Sequence, residues 1–281
     1  MAAAVARSTL SLGVLLCLAS ACCAGVEEFP LQVQPGGEIP TGVAIEGYPA
    51  AVKAIVQVMV RDFRVPAPRG KLLVYGTREE FERGLVEHLK IKPALAKSTA
   101  KFAKGAVGSY NLLVSEPALA ESNWPQRIEF LAHELTHCVQ LTLANKPGIA
   151  RPQWLMEGSA EWMAFYVTAA LGLDDLKSVR MRLAEKVRAA RQQGGLPRLV
   201  GVDTFEQWVA TRGKYGFDAT YSQSFLAADF LVARHTFARI ADFFRRFERS
   251  DDAGANFNAS FGESIGDFGS ALDAHLEKLL N

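Results

Sequence analysis

Phe130-Leu131-Ala132-His133-Glu134-Leu135-Thr136-His137 is the stretch around which the rest of this chain is read. It carries H-E-x-x-H inside a run otherwise suited to an apolar, buried helix. Residues four apart on an α-helix are separated by one turn plus roughly 40°, so His133 and His137 project from one face and can share a single ion. Glu134 points about 100° away from His133. It misses the ion and still reaches a water bound to it, the position of a general base. The bland alternative is a helix with two satisfied core histidines and a surface glutamate. With five histidines in the chain, that coincidence is expected in well under about one protein in a hundred.

A catalytic zinc typically takes three protein ligands and leaves a fourth position open. The segment Trp154-Leu155-Met156-Glu157-Gly158-Ser159-Ala160-Glu161-Trp162 begins just after Pro152 and sets a carboxylate in an apolar turn. Glu157 is the candidate third ligand. The connection, with Pro147, Gly148 and Pro152, lets a second helix fold back antiparallel on the first.

These residues resemble the gluzincin metallopeptidases, the class of the thermolysin-like proteases and the aminopeptidase N family. In that class the third ligand is a Glu within W-L-x-E-G-x-A on the next helix, about twenty residues past the second His. Here Glu157 follows His137 by twenty. A metzincin pattern would require a Gly and a third His where this chain has Gln140 and Leu143. The resemblance is firm over residues 128–165 and looser over 71–127 and 215–250.

The resemblance implies a zincin-like fold and Zn2+ on His133, His137 and Glu157. It also implies hydrolysis of a peptide or protein substrate by activated water, with Glu134 as base. Glu161, four residues after Glu157, occupies the place where related enzymes keep an acid that orients a ligand imidazole. Tyr221 is the candidate to hold the oxyanion, with Tyr215 as fallback. The strand Ser109–Val114 corresponds to an edge strand that pairs with extended peptide. The acidic element that grips a free N-terminus is missing from Val107-Gly108-Ser109-Tyr110-Asn111, which favours an endopeptidase. Two other readings stay open: a non-catalytic zinc module, against which Glu134 and the lack of a fourth ligand argue, and a zinc hydrolase of a non-peptide substrate.

Composition narrows the partners. Half of the 281 residues are apolar, and 31 basic residues balance 30 acidic ones, so the chain can bury a sizeable core and offers no footprint for nucleic acid. At the N-terminus Arg7 precedes the apolar stretch Leu10 to Leu18, followed by Ala19, Ser20, Ala21 and Ala24. This is the pattern of a secretory signal peptide over residues 1–24, too short for a membrane span, and predicts a secreted or periplasmic protein. Cutting after Ala21 would leave Cys22 first and open to a lipid anchor, the minority reading; cutting after Ala24 would remove Cys17, Cys22 and Cys23. Cys138 then remains, as a small buried hydrophobe.

Residues 25–48 read as an extended lead-in rich in Gly and Pro, followed by a metallopeptidase domain over 49–281. Helical spacing predicts a helix over Pro49–Phe63, a strand over Lys71–Tyr75, and a capping box at Thr77 and Glu80 opening a helix to about Lys90. After the strand Ser109–Val114 the chain turns helical: Pro125–Leu143, Pro152–Leu171, Asp174–Arg191, Thr204–Ala210, Tyr221–Arg234, Thr236–Glu248 and Ser264–Leu280. The fold class is α+β, a small sheet-containing N-lobe (about 49–143) and a helical C-lobe (about 152–281) joined near Ala144–Arg151, with the site between them. His88, His235 and His275 have no partner at ligand spacing.

Overall fold

The computed structural model describes residues 25–33, 39, 45–146 and 152–281. The expected signal peptide with Cys17, Cys22 and Cys23, parts of the lead-in, and the 147–151 connection lie outside the described residues.

The elements run β1 (Val26–Pro30), α1 (Tyr48–Phe63), β2 (Lys71–Tyr75), α2 (Arg78–Leu89), α3 (Pro93–Thr99), β3 (Gly105–Gly108), β4 (Asn111–Ser115), α4 (Glu116–Leu119) and α5 (Trp124–Ala144). They continue with α6 (Gln153–Ala170), α7 (Leu176–Gly194), α8 (Phe205–Tyr215), α9 (Phe217–His235), α10 (Phe237–Arg246), α11 (Ala253–Phe261) and α12 (Ile265–Leu280). A mostly helical chain with one four-stranded sheet is an α+β fold. Among the described residues no helix is long and apolar enough to cross a membrane.

The sheet order is β1-β2-β4-β3, with β2 and β4 parallel and both flanking pairs antiparallel. Both faces of the central strands are covered, which explains why Leu72-Leu73-Val74-Tyr75 reads as a continuous apolar run. Leu72, Val74, Leu112 and Val114 face the main core with α1 and α5. Leu73, Tyr75 and Leu113 face Phe81, Leu85 and Ala96 of α2 and α3. The Thr77–Glu80 capping box is formed, with the Glu80 amide donating to Thr77 Oγ1 and Glu80 accepting from the Thr77 amide. A second box, Asn123 with Gln126, opens α5.

Two strands escape the sequence reading. In β1, Val-Glu-Glu-Phe-Pro is almost wholly exposed at the sheet edge and so has no buried face to leave a period in the sequence. In β3, Gly-Ala-Val-Gly is half-buried and short. Between β3 and β4, Ser109 and Tyr110 turn with φ of 48° and 68°, a two-residue hairpin loop of the left-handed type whose twist matches the strands. The expected strand over Ser109–Val114 is therefore the turn plus β4, which lies inside the sheet. The edge strand on that side of the sheet is β3.

One apolar core runs from the sheet through α1 and α5 into α6, α9 and the C-terminal helices. The α5 and α6 helices are antiparallel neighbours: Gln140 of α5 donates to the Met156 carbonyl and Ser159 Oγ of α6, both at 3.0 Å. Cys138 of α5 is fully buried in the main core, and burial pushes its thiol pKa far up.

Candidate metal centre

The two helices carry three potential ligands to one point. His133 Nε2 lies 3.1 Å from His137 Nε2. Glu157 Oε2 stands 3.4 Å from His133 Nε2 and 3.8 Å from His137 Nε2. Donors around a tetrahedral zinc with bonds of about 2.0–2.2 Å are separated by about 3.3–3.6 Å, so the three atoms already span the required triangle. They form a group of metal-binding type by type and proximity.

The outer nitrogens of the rings explain why the inner ones converge. His137 Nδ1 is 2.9 Å from Gln140 Oε1. Because the Gln140 amide group is committed as a donor to α6, its oxygen faces the ring and His137 Nδ1 must donate. His133 Nδ1 is 3.2 Å from Glu161 Oε1, an acceptor, so it donates too. Neutral rings then turn both bare Nε2 atoms toward a carboxylate oxygen. Three electron-rich atoms at this spacing are stable only around positive charge, a metal ion or an added proton on one ring. Burial opposes that proton, but the hydrogen bonds of His133 to Glu157 and Glu161 outweigh it and hold the ring's pKa well above the usual imidazole range. The donor set fits zinc: two imidazoles and one carboxylate, each with its second polar atom anchored. For Glu157 that anchor is Gln153, whose Nε2 donates to Oε1 at 2.9 Å.

Glu134, His133 and Glu161 line a cleft of about 570 Å3 together with Tyr221, Glu129, Phe130, Phe102, Phe217 and Arg212. Burial raises the Glu134 pKa, helped by Glu157 and Glu161 and opposed by His133 and His137. For Glu157 burial is outweighed by His133 and His137, which hold its pKa down at about 2.

The Tyr221 ring lies 6.2 Å from the His133 ring, with Phe217 stacked on it at 4.1 Å. Trp208 Nε1 donates to Tyr221 Oη at 3.3 Å, which leaves the phenol's own proton free to donate elsewhere. Burial, and then Glu157, push the Tyr221 pKa up, so the proton is always present. Tyr215 does not line the cleft; Lys214 Nζ sits over its ring at 4.8 Å.

A glycine allows α9 to reach the site. A Cβ on Gly158 would stand 2.3 Å from the Ser224 carbonyl oxygen, so the residue after Glu157 has to be Gly for the two helix backbones to cross this closely.

Sequence reasoning brought His133, His137, Glu134, Glu157, Glu161 and Tyr221 together, and all six meet here. It passed over Gln140, Gln153 and Glu129. The first two stand three residues after His137 and four before Glu157, at same-face helical spacing from the candidate ligand each anchors, and that spacing was the available signal. Of the remaining histidines, His235 pairs with Glu263 at 3.0 Å and His275 stacks on Phe230 at 4.3 Å. Compared with protein-family models, curated proteins and solved structures, the chain matches none of them.

Proposed function

We propose that this chain is an exported zinc-dependent metallopeptidase with a zincin-like arrangement of the gluzincin type, favouring internal peptide bonds. The observation that carries this reading is the convergence of His133 Nε2, His137 Nε2 and Glu157 Oε2 at the wall of a cleft that Glu134 also lines. A zinc ion held by these residues would supply Lewis acidity, activating water near neutral pH and polarising a carbonyl.

The chain's own groups do the rest. Glu134, its proton affinity raised by burial, takes a proton from the attacking water and returns it to the departing amine. Tyr221 donates its free proton to the oxyanion that develops on the scissile carbonyl. Glu161 and Gln140 hold the two imidazoles in the tautomer that directs Nε2 inward.

The substrate is an extended peptide that pairs with β3. In the hairpin the Ser115 amide donates to the Lys104 carbonyl, so with the register Gly105↔Val114 and Val107↔Leu112 the alternate residues Gly105 and Val107 turn their amide and carbonyl groups away from β4. Gly105 lies against Phe130 and lines the cleft that Glu134 also lines, which supports this edge as the docking strand.

The deciding experiment is mass-spectrometric cleavage profiling of a peptide library by the zinc-loaded protein, beside Glu134→Gln. Internal cuts made by the wild type alone are the expected result. Zinc-bound protein that leaves every peptide intact would sink the proposal and favour a non-peptide substrate or a binding role.

A further inference from the structure

Among the described residues, Glu129 is the one carboxylate lining the cleft to which the reading above gives no role. It sits one turn before His133 on α5 and lines the same cleft. Glu161 is taken by His133 Nδ1, and Glu157 by the inner ring nitrogens and Gln153. Among the described residues Glu129 has neither a hydrogen bond nor an ion pair. The charged groups that face it are Glu161 of α6, Asp174 before α7, Arg182 of α7 and His133. Of these, Arg182 is already committed to Asp174 at 2.8 Å. Lys104 and Arg212 line the cleft as well, and neither pairs with Glu129.

A half-buried carboxyl group without a partner is costly to maintain, and a cationic nitrogen is the group that would satisfy it. Its position suits a substrate. Four residues along a helix is about 6 Å, close to the ~6.8 Å between alternate side chains of an extended peptide. A peptide that lies along α5 with its carbonyl at His133 and Glu134 therefore has a nearby side chain within reach of Glu129, which lines the same cleft. At the cleft mouth Phe102 and Phe217 are 70% and 58% exposed, apolar surfaces along which the stem of a Lys or Arg can lie while its charged head reaches the acid.

Resting on the peptidase reading above, we infer that Glu129 is a specificity-determining residue that selects substrates presenting an ammonium or guanidinium group next to the cut bond. The cation can be a Lys or Arg side chain or the substrate's own α-amino group, and the test separates them.

Zinc-loaded wild type, Glu129→Gln and Glu129→Lys are compared on N-acetylated peptides that differ only in Arg, citrulline or Glu beside the cut. The same peptides are run with a free N-terminus. The quantity read is the ratio of kcat/KM between paired peptides, which a general loss of rate does not mimic. The wild type should favour a charged peptide over its neutral counterpart by about 10- to 100-fold, the worth of a hydrogen bond to a charged group. The ratio should collapse in Glu129→Gln and invert toward the Glu peptide in Glu129→Lys. A preference carried by Arg in blocked peptides assigns the cation to the side chain; one carried by unblocking assigns it to the α-amine. Cleavage with equal ratios in all three proteins overturns the inference and leaves the peptidase reading standing, whereas no cleavage of any peptide by the wild type removes both.

Discussion

Gly158 and Ser224 lie so close that a single added carbon at 158 would stand 2.3 Å from the Ser224 carbonyl oxygen. The contact is backbone to backbone, and it sets the crossing of α6 and α9. Through it the helix that presents Glu157 and the helix that presents Tyr221 share one wall. Gly158→Ala should therefore lose stability, by about 1–3 kcal/mol as for other overpacked sites, although alanine is the better helix former by ~1 kcal/mol. Denaturant melts check the first part. Cleavage rates check the second, because pushing α9 outward moves Tyr221 away from His133, and unchanged stability and rate would mean that the helices separate freely.

Gln140 is expected to control zinc affinity without touching the ion. Its oxygen accepts from His137 Nδ1 and its amide ties α5 to α6. Gln140→Leu removes the acceptor that fixes the ring tautomer, and loss of such a group typically costs 10- to 100-fold in metal affinity. Chelator competition measures this. Glu134→Gln, which spares all three ligands, should bind zinc as the wild type does, and equal affinity for Gln140→Leu would show that the tautomer needs no support.

Tyr221→Phe should lower kcat by about 10²- to 10³-fold, the usual worth of one oxyanion donor, with zinc content unchanged and KM nearly so. The proton is available because Trp208 donates to the phenol oxygen. Tyr215→Phe should change little, since that residue does not line the cleft. A Tyr221→Phe protein with wild-type kcat would remove the tyrosine from the chemistry.

The site was legible in the sequence because helical periodicity fixes relative direction locally. His133 with His137, and Glu157 with Glu161, are each one turn apart, so the sequence alone could predict shared faces, and the Pro- and Gly-bearing connection predicted the fold-back. Helices α5, α6, α7, α10 and α12 lie close to their expected limits for the same reason, whereas α8 runs on past the expected Ala210 to Tyr215 and α9 begins at Phe217, a turn before the expected Tyr221. What was not legible depends on contacts distant in sequence. The edge strands β1 and β3 have little or no buried face to leave a period, and the partner of β4 is fixed by a hairpin whose turn residues, Ser109 and Tyr110, are not the usual Gly or Asn. The setting of Glu129 emerges only once α6 and the residues before α7 are packed against α5.

Glu129 should also reveal itself in the pH dependence of stability. Burial raises its pKa from the ordinary 4.5 to about 7, helped by Glu161 and Asp174 and opposed by Arg182 and His133. The folded protein therefore binds this proton more tightly than the unfolded chain does, and stability contributed by the group is whole below about pH 4.5 and is lost as pH rises to about 7. At about 1.4 kcal/mol per tenfold change in proton affinity, the loss is at most about 3 kcal/mol. Glu129→Gln cannot lose a proton, so zinc-free Glu129→Gln should match the wild type at pH 4.5 and exceed it in thermal stability at pH 8. A bound dication would draw the Glu129 pKa down through space, so adding zinc should narrow the gap at pH 8. Parallel melts of the two zinc-free proteins across this range decide it: a gap that does not open with rising pH would mean that Glu129 finds a partner in solution, and would weaken its claim to be kept for a cationic substrate.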